Sequence, residues 1–183
     1  MDGDIRAYSK PGAGTTFVAC IPTTAMPLNK RPRIGSESMV KQLTEKRLKA
    51  LVADDSPFNV TLICDYLLKF EATIVSAAYN GYDAFLKYQA CKIANVQLDL
   101  VLLDIDMPVM DGRTACDKIR EYEEQHQLKP VVIILISGNY DKEQIDEYIN
   151  PEKGHKADAF LRKPVSFSDF NRSVYNLLIQ GRE

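Results

Sequence analysis

No stretch of this chain approaches the roughly 18 consecutive apolar residues that cross a bilayer. The longest useful run, Val131 to Ile136, is the size of a strand. The N-terminus, Met1-Asp2-Gly3-Asp4, has neither the basic start nor the apolar stretch of a secretory signal. These absences argue against a secreted or membrane-spanning protein and for a cytoplasmic one. C-x-x-C pairs are missing too. Cys20, Cys64, Cys91 and Cys116 stand far apart, which suits neither a zinc site nor a small disulfide scaffold and reads as reduced, buried thiols. Basic charge is not in excess: 23 Lys and Arg face 25 Asp and Glu, a net charge of −2, so the composition carries no nucleic-acid signature.

What is present is a chain of 183 residues, 45% hydrophobic and 26% charged. That is the make-up of a globular protein with one ordinary domain and some spare sequence. Its charge is uneven, with +4 over residues 1–47 and −6 over residues 48–183. The texture changes at the same place. Residues 23–46 (TTAMPLNKRPRIGSESMVKQLTEK) contain two prolines and little periodicity, and they read as a linker. The Lys30-Arg31-Pro32-Arg33 cluster within it reads as solvated linker charge rather than a nucleic-acid or lipid contact.

From Leu48 onward, short apolar runs alternate with amphipathic segments. Strands are predicted at Leu48–Ala53, Ala72–Ala78, Leu98–Ile105, Val131–Ile136 and Ala159–Leu161. Ser56-Pro57 opens the first helix of this region, which carries Val60, Ile63, Cys64, Leu67 and Leu68 at helical spacing. Asn80-Gly81 opens the second, with Ala84, Phe85 and Tyr88 on one face. Further helices are predicted at 113–126, Asp141–Ile149 and Ser166–Ile179, the last with Phe167, Phe170, Val174, Leu177 and Leu178 inward. The run LDLVLLDI suits a strand buried on both faces. Five strands alternating with helices predict a parallel sheet covered on both sides, an α/β fold.

In such folds the working site lies beyond the carboxyl ends of the strands. The residues ending the strands are Asp54-Asp55, Asp104, Ser137 and Lys163. Converging carboxylates repel one another unless a cation sits between them. Oxygen ligation by carboxylates suits Mg²⁺, which shares itself with phosphoryl groups. An Asp oxygen is then free to attack phosphorus, and a Lys and a Ser hydroxyl stabilise the other phosphoryl oxygens. The constellation reads as formation and hydrolysis of an aspartyl phosphate.

Four segments in order, LVADDS, LVLLDIDMPVMDG, ILISG and AFLRKP, make Leu48–Leu178 resemble the receiver domain of two-component response regulators. The resemblance implies a flavodoxin-like fold of strand order 2-1-3-4-5, with Asp104 as phospho-acceptor and Lys163 and Ser137 assisting at the phosphoryl group. It implies Mg²⁺ as cofactor, bound directly by Asp55 and Asp104, through water by Asp54, and by the backbone carbonyl of Asp106. Ser137 and Phe160 would form the switch that turns inward on phosphorylation, and Asp106 and Asn139 would flank the line of attack. The implied partner is a histidine kinase or a histidine phosphotransfer protein, with no nucleic acid and no direct membrane contact. The implied state is a monomer that dimerises on phosphorylation. With no DNA-binding segment after Gly181, output is expected through relay or protein contact. The connections before the third, fourth and fifth strands are a few residues longer than the family's usual ones.

The first 22 residues carry a second resemblance. Gly12, Gly14, Thr15, Thr16 and Phe17 fit the G-x-G-T-T-F segment that ends a histidine-kinase ATPase domain, which would form a hairpin here. Kinase tail (1–22), linker (23–46) and receiver (47–181) follow the order of a hybrid histidine kinase. The chain is then expected to be the C-terminal part of one, at the cytoplasmic end of any membrane-anchored parent. Alone, it would not phosphorylate itself from ATP.

Other residues read as ordinary surface: His126, His155, Tyr140, and the helix face of Glu121, Glu123 and Glu124. Two alternatives compete with a working receiver. Asp104-Ile105-Asp106 matches the D-x-D with which haloacid-dehalogenase-like phosphatases begin, but there the acidic pair comes last, whereas Asp54-Asp55 come first here. A pseudo-receiver, a pure binding module, would usually have lost an acid or the lysine.

Overall fold

The structure is a computed structural model that describes residues 4–10, 12, 14–20, 37–138, 149 and 156–181. It divides into two compact units, Met1–Arg33 and Ile34–Glu183. In the first, β1 (Asp4–Lys10) and β2 (Gly14–Cys20) form an antiparallel hairpin paired from Asp4↔Cys20 to Lys10↔Gly14. Gly12 and Gly14 take φ of +76° and +91° at the turn, which glycine adopts without a Cβ clash. The whole of β1 is exposed, including Ile5 and Tyr8.

The second unit begins with α1 (Glu37–Glu45), followed by β3 (Lys49–Ala53), α2 (Pro57–Leu68), β4 (Thr73–Ala78), α3 (Gly81–Ile93), β5 (Leu100–Asp104) and α4 (Gly112–Gln125). It continues through β6 (Val132–Ser137), β7 (Ala159–Arg162) and α5 (Phe167–Tyr175), which runs into a π-helical turn at Asn176–Gln180. The sheet order is β4-β3-β5-β6-β7, with every pairing parallel. Numbered within this sheet, that is the expected 2-1-3-4-5 order.

Both faces of the sheet are covered, and the strand alternation shows how. Ala50, Val52, Leu100, Leu102, Ile134 and Ile136 face one core, closed by Val60, Ile63 and Leu67 of α2 and Phe167, Phe170 and Val174 of α5. Leu51, Val101, Leu103, Ile133 and Leu135 face the other, closed by Ala84 and Tyr88 of α3 and Ala115 and Ile119 of α4. The side chains of a strand point alternately to opposite faces, so a strand buried on both must be apolar throughout. Helix starts are set locally. Asn80, Asp111 and Ser166 accept hydrogen bonds from the backbone N–H of Asp83, Thr114 and Asp169, which satisfies donors left open in the first turn.

Several expectations change. The linker expected over 23–46 is shorter at its C-terminal end, because Glu37–Glu45 is helical. Leu43 is fully buried, Val40 packs beside it, and the Lys46 ammonium donates to the Leu178 carbonyl. Nine residues with two apolar anchors give too short a pattern to stand out beside the polar run before it. Residues 23–36 lie outside the described residues, as do His155, Tyr140 and all but Ile149 of the helix expected at Asp141–Ile149. Leu68 is exposed rather than inward. Cys91 and Cys116 are buried free thiols and Cys64 is half-buried. Burial pushes Cys116 up to about 12, so its thiol is inert at neutral pH.

The glutamate face of α4 also needs correcting. Glu121 and Glu124 are exposed, but Glu123 is 2% exposed. Its Oε1 accepts from the Tyr88 hydroxyl (2.7 Å) and the Val131 N–H (2.7 Å), and its Oε2 from Arg120 (2.6 Å). Arg120 continues to Asp158 Oδ2 (2.9 Å), which also accepts from Ile133 N–H. This network ties α3 and α4 to the entries of β6 and β7. Its acids lie 35 residues apart (123 and 158), so no local pattern marks it. Removing one partner leaves the others buried and unpaired. Glu123→Ala is expected to cost about 3–5 kcal/mol in urea denaturation, and Glu121→Ala under ~0.5 kcal/mol. Equal, small losses would restore the solvated face.

Candidate functional site

The carboxyl ends of the central strands collect the predicted residues at one place. Asp104 is the last residue of β5 and Ser137 the last of β6, while Asp54-Asp55 follow β3 directly and Lys163 follows β7. The sheet order puts β3 and β6 on either side of β5, so Asp104 stands between the acidic pair and the serine. Asp54, Asp55 and Asp104 each offer a carboxylate oxygen, and these atoms lie within 4.8 Å of one another. Asp54 and Asp104 are buried, at 4% and 2% exposure, while Asp55 is exposed.

Lys163 holds the cluster together. Its ammonium lies 2.8 Å from Asp54 Oδ2 and 2.8 Å from Asp104 Oδ1. The second contact is an ion pair, and Asp104 Oδ1 has no further donor beside it. Burial alone would lower Lys163, but its contacts with Asp104 and Asp54 outweigh that and raise it above the ordinary lysine value. Asp54 is fixed on its other side, where Oδ1 accepts from Ser56 N–H (2.9 Å) and Asn59 Nδ2 (3.0 Å). Asp104 behaves differently. Burial pushes its carboxyl up to about 6, Lys163 pulls it down, and the negative charges of Asp54 and Asp106 add to the rise.

The two residues expected to form the switch lie on neighbouring strands, Ser137 on β6 and Phe160 on β7. The Ser137 side chain is fully buried, and its Oγ donates to Asp106 Oδ2 at 2.9 Å. Phe160 lies opposite Leu135 in the β6–β7 register and is half-buried against the second core. Asn139 lies outside the described residues.

Two glycines shape the site through the backbone, beyond the turn and helix-start roles their sequence context predicts. A Cβ at Gly112 would come within 2.1 Å of the Asp104 carbonyl oxygen, and one at Gly81 within 2.5 Å of the Met110 carbonyl oxygen. Both are backbone atoms of the segment around Asp104, which closes on itself through Gly112 N–H to Ile105 O (3.0 Å) and is tied to the start of α3 through Gly81 N–H to Met110 O (2.9 Å). The signal was present as the D-G dipeptide ending DMPVMDG, but it reads equally as an ordinary turn. Asn59 was missed because amides are common on helix surfaces.

Hard oxygen donors, a buried Asp104 Oδ1 lacking a hydrogen bond, and excess negative charge make a donor set that fits a small divalent cation. Three acids against one ammonium leave the pocket short of positive charge.

The model of the response regulator receiver domain family matches residues 50–175. The chain belongs to that family, whose members serve phosphorelay signalling, and the match favours it over the D-x-D phosphatase. Hybrid signal transduction histidine kinase L of Dictyostelium discoideum is 30% identical over 146 residues, 80% of this chain and 8% of that protein. The chain spans only about 8% of the length of the first curated relatives it matches. A CheX–CheY complex with BeF3 and magnesium from Borrelia burgdorferi aligns with a TM-score of 0.62 at 26% identity, covering 72% of this chain and 90% of that one. The receiver domain of Ssk1, solved with the Saccharomyces cerevisiae histidine phosphotransfer protein Ypd1, shares the fold, with a TM-score of 0.58 at 19% identity over 75% of this chain and 92% of that one.

Two outcomes follow from this geometry. Asp104 binds its proton more tightly in the folded state than in the unfolded one, since its value rises from 3.8 to about 6. Its contribution to stability is therefore fully present below the unfolded value and lost as pH rises through about 6. In EDTA, Asp104→Asn should gain stability over the parent between pH 4 and pH 8, by on the order of 3 kcal/mol, measured by urea midpoints. A difference that stays flat with pH contradicts the raised value. Gly112→Ala should displace the Asp104 backbone and cost both stability and labelling by a small phosphodonor. A variant with parental urea midpoint and labelling rate contradicts the close approach.

Proposed function

We propose that this receiver takes a phosphoryl group from a phosphohistidine onto Asp104 and uses the added charge to change its partner surface. The observation that carries the reading is the Lys163 ammonium set 2.8 Å from both Asp104 and Asp54 at the strand ends, with Asp55 within ligand distance of both acids. A lysine there anchors a carboxylate nucleophile and supplies a positive charge for phosphoryl oxygens that arrive beside it.

In the transfer, an Asp104 carboxylate oxygen forms a bond to phosphorus as the phosphorus–nitrogen bond of the donor histidine breaks. The electron pair of that bond leaves with the imidazole, which takes up a proton to become neutral or charged according to pH. Mg²⁺, when bound, supplies positive charge to the phosphoryl oxygens and relieves the repulsion among the acids. Asp55 and Asp104 would hold it directly, Asp54 through water, and Asp106 by its backbone carbonyl. Ser137 then donates its hydroxyl to a phosphoryl oxygen and Phe160 follows it inward, a population shift driven by the new anion. Slow hydrolysis returns Asp104.

The donor and recipient in this reading are a histidine kinase or a histidine phosphotransfer protein, and the compartment is the cytoplasm. The parent is a hybrid histidine kinase. The Gly-rich hairpin of β1 and β2 and the similarity to the Dictyostelium hybrid signal transduction histidine kinase support that origin.

Incubation with Mg²⁺ and acetyl phosphate, followed by intact mass, tests the chemistry without a protein donor. The expected result is a Mg²⁺-dependent phosphoryl adduct that Asp104→Asn abolishes. Lys163→Ala should still label partially while losing the conformational response. No adduct with acetyl phosphate left unconsumed would indicate a pseudo-receiver, and full signalling by Lys163→Ala would remove the role given to that lysine.

A further inference from the structure

The Ser137 hydroxyl has one proton to donate, and in this structure Asp106 Oδ2 accepts it at 2.9 Å. Asp106 lies two residues beyond Asp104 and its side chain is exposed, whereas Ser137 is fully buried at the end of β6. The acceptor is a carboxylate, so the bond is charge-assisted and stronger than one to a neutral group. Lys163, the cation closest to the acids, is engaged by Asp54 and Asp104. A hydroxyl held by Asp106 is not available to a phosphoryl oxygen on Asp104.

We propose that the Asp106 carboxylate is a latch: a positioning residue that acts through Ser137, holds the hydroxyl in the resting orientation, and competes with the phosphoryl group for it. This rests on the reading of Ser137 as a phosphoryl donor. The latch sets how much of the protein is ready to grip a phosphoryl group, and ligand affinity falls in proportion to that ready fraction. Asp106 also places a negative charge near the arriving anion, and simple repulsion would weaken binding in the same direction. The two effects separate chemically. An asparagine at 106 keeps an oxygen that accepts from Ser137 but removes the charge, while an alanine removes both. The backbone carbonyl assigned to the metal is present in every variant.

The test is the affinity of the full chain for beryllofluoride, a phosphoryl mimic, in saturating Mg²⁺, read by fluorine NMR titration. Asp106→Ala should bind roughly tenfold more tightly than the parent, and Asp106→Asn, whose neutral amide oxygen accepts more weakly than the carboxylate, only about threefold more tightly. Ser137→Ala should bind several-fold more weakly. Asp106→Ala combined with Ser137→Ala should match Ser137→Ala alone, because the latch has nothing left to hold. If the gain from Asp106→Ala persists in the Ser137→Ala background, or if Asp106→Asn gains as much as Asp106→Ala, repulsion explains the data and the latch is wrong. If Ser137→Ala leaves the affinity unchanged, the role of Ser137 itself fails, an outcome distinct from failure of the latch alone.

Discussion

Three carboxylates meeting one ammonium is the constraint on which the rest of this receiver depends. Asp54 and Asp104 are nearly dry, and Lys163 is the cation that bridges them. Left to themselves, buried like charges either take up protons or push apart. Here the Asp104 carboxyl is raised, chiefly by burial and further by the charges of Asp54 and Asp106. The lysine holds the remainder at the cost of its own freedom. The result is a pocket with more acids than cations, whose oxygen donors suit a small divalent cation. Strong electrostatics of this kind operate only where water is scarce, so the burial and the chemistry belong to one design.

Keeping those groups together is the task of the fold. Parallel strands all end on the same side, and the order β4-β3-β5-β6-β7 seats Asp104 between the acids after β3 and the serine of β6. Two apolar layers clamp the central strands from both faces, which leaves little room for the strand ends to drift. Gly81 and Gly112 let backbone approach backbone around the segment after β5. Glu123, Arg120 and Asp158 fasten the opposite end of the sheet.

Most of this was legible in the sequence because it is written in short, ordered segments. Apolar runs ending in Asp54-Asp55, Asp104 and Ser137 gave strand, direction and site at once, since a strand buried on both faces has no other pattern. What stayed hidden depends on contacts between distant residues. Glu123 sits in a run of acids that looks solvated, and only Tyr88, Arg120 and the Val131 N–H make it a buried hub. Helix α1 shows too few apolar anchors to be seen beside a proline-containing stretch. The Ser137–Asp106 bond joins residues 31 apart in sequence, and no spacing rule announces which acceptor a buried hydroxyl will choose.

Locating the modification is the most direct test of the central claim. After phosphorylation by acetyl phosphate and Mg²⁺, borohydride reduction converts an aspartyl phosphate to homoserine, which tandem mass spectrometry of the peptides places at a residue. The account predicts homoserine at position 104, with Asp54, Asp55 and Asp106 unchanged. Homoserine at any of those three, or a phosphoryl group that resists borohydride because it sits on a serine, would contradict it.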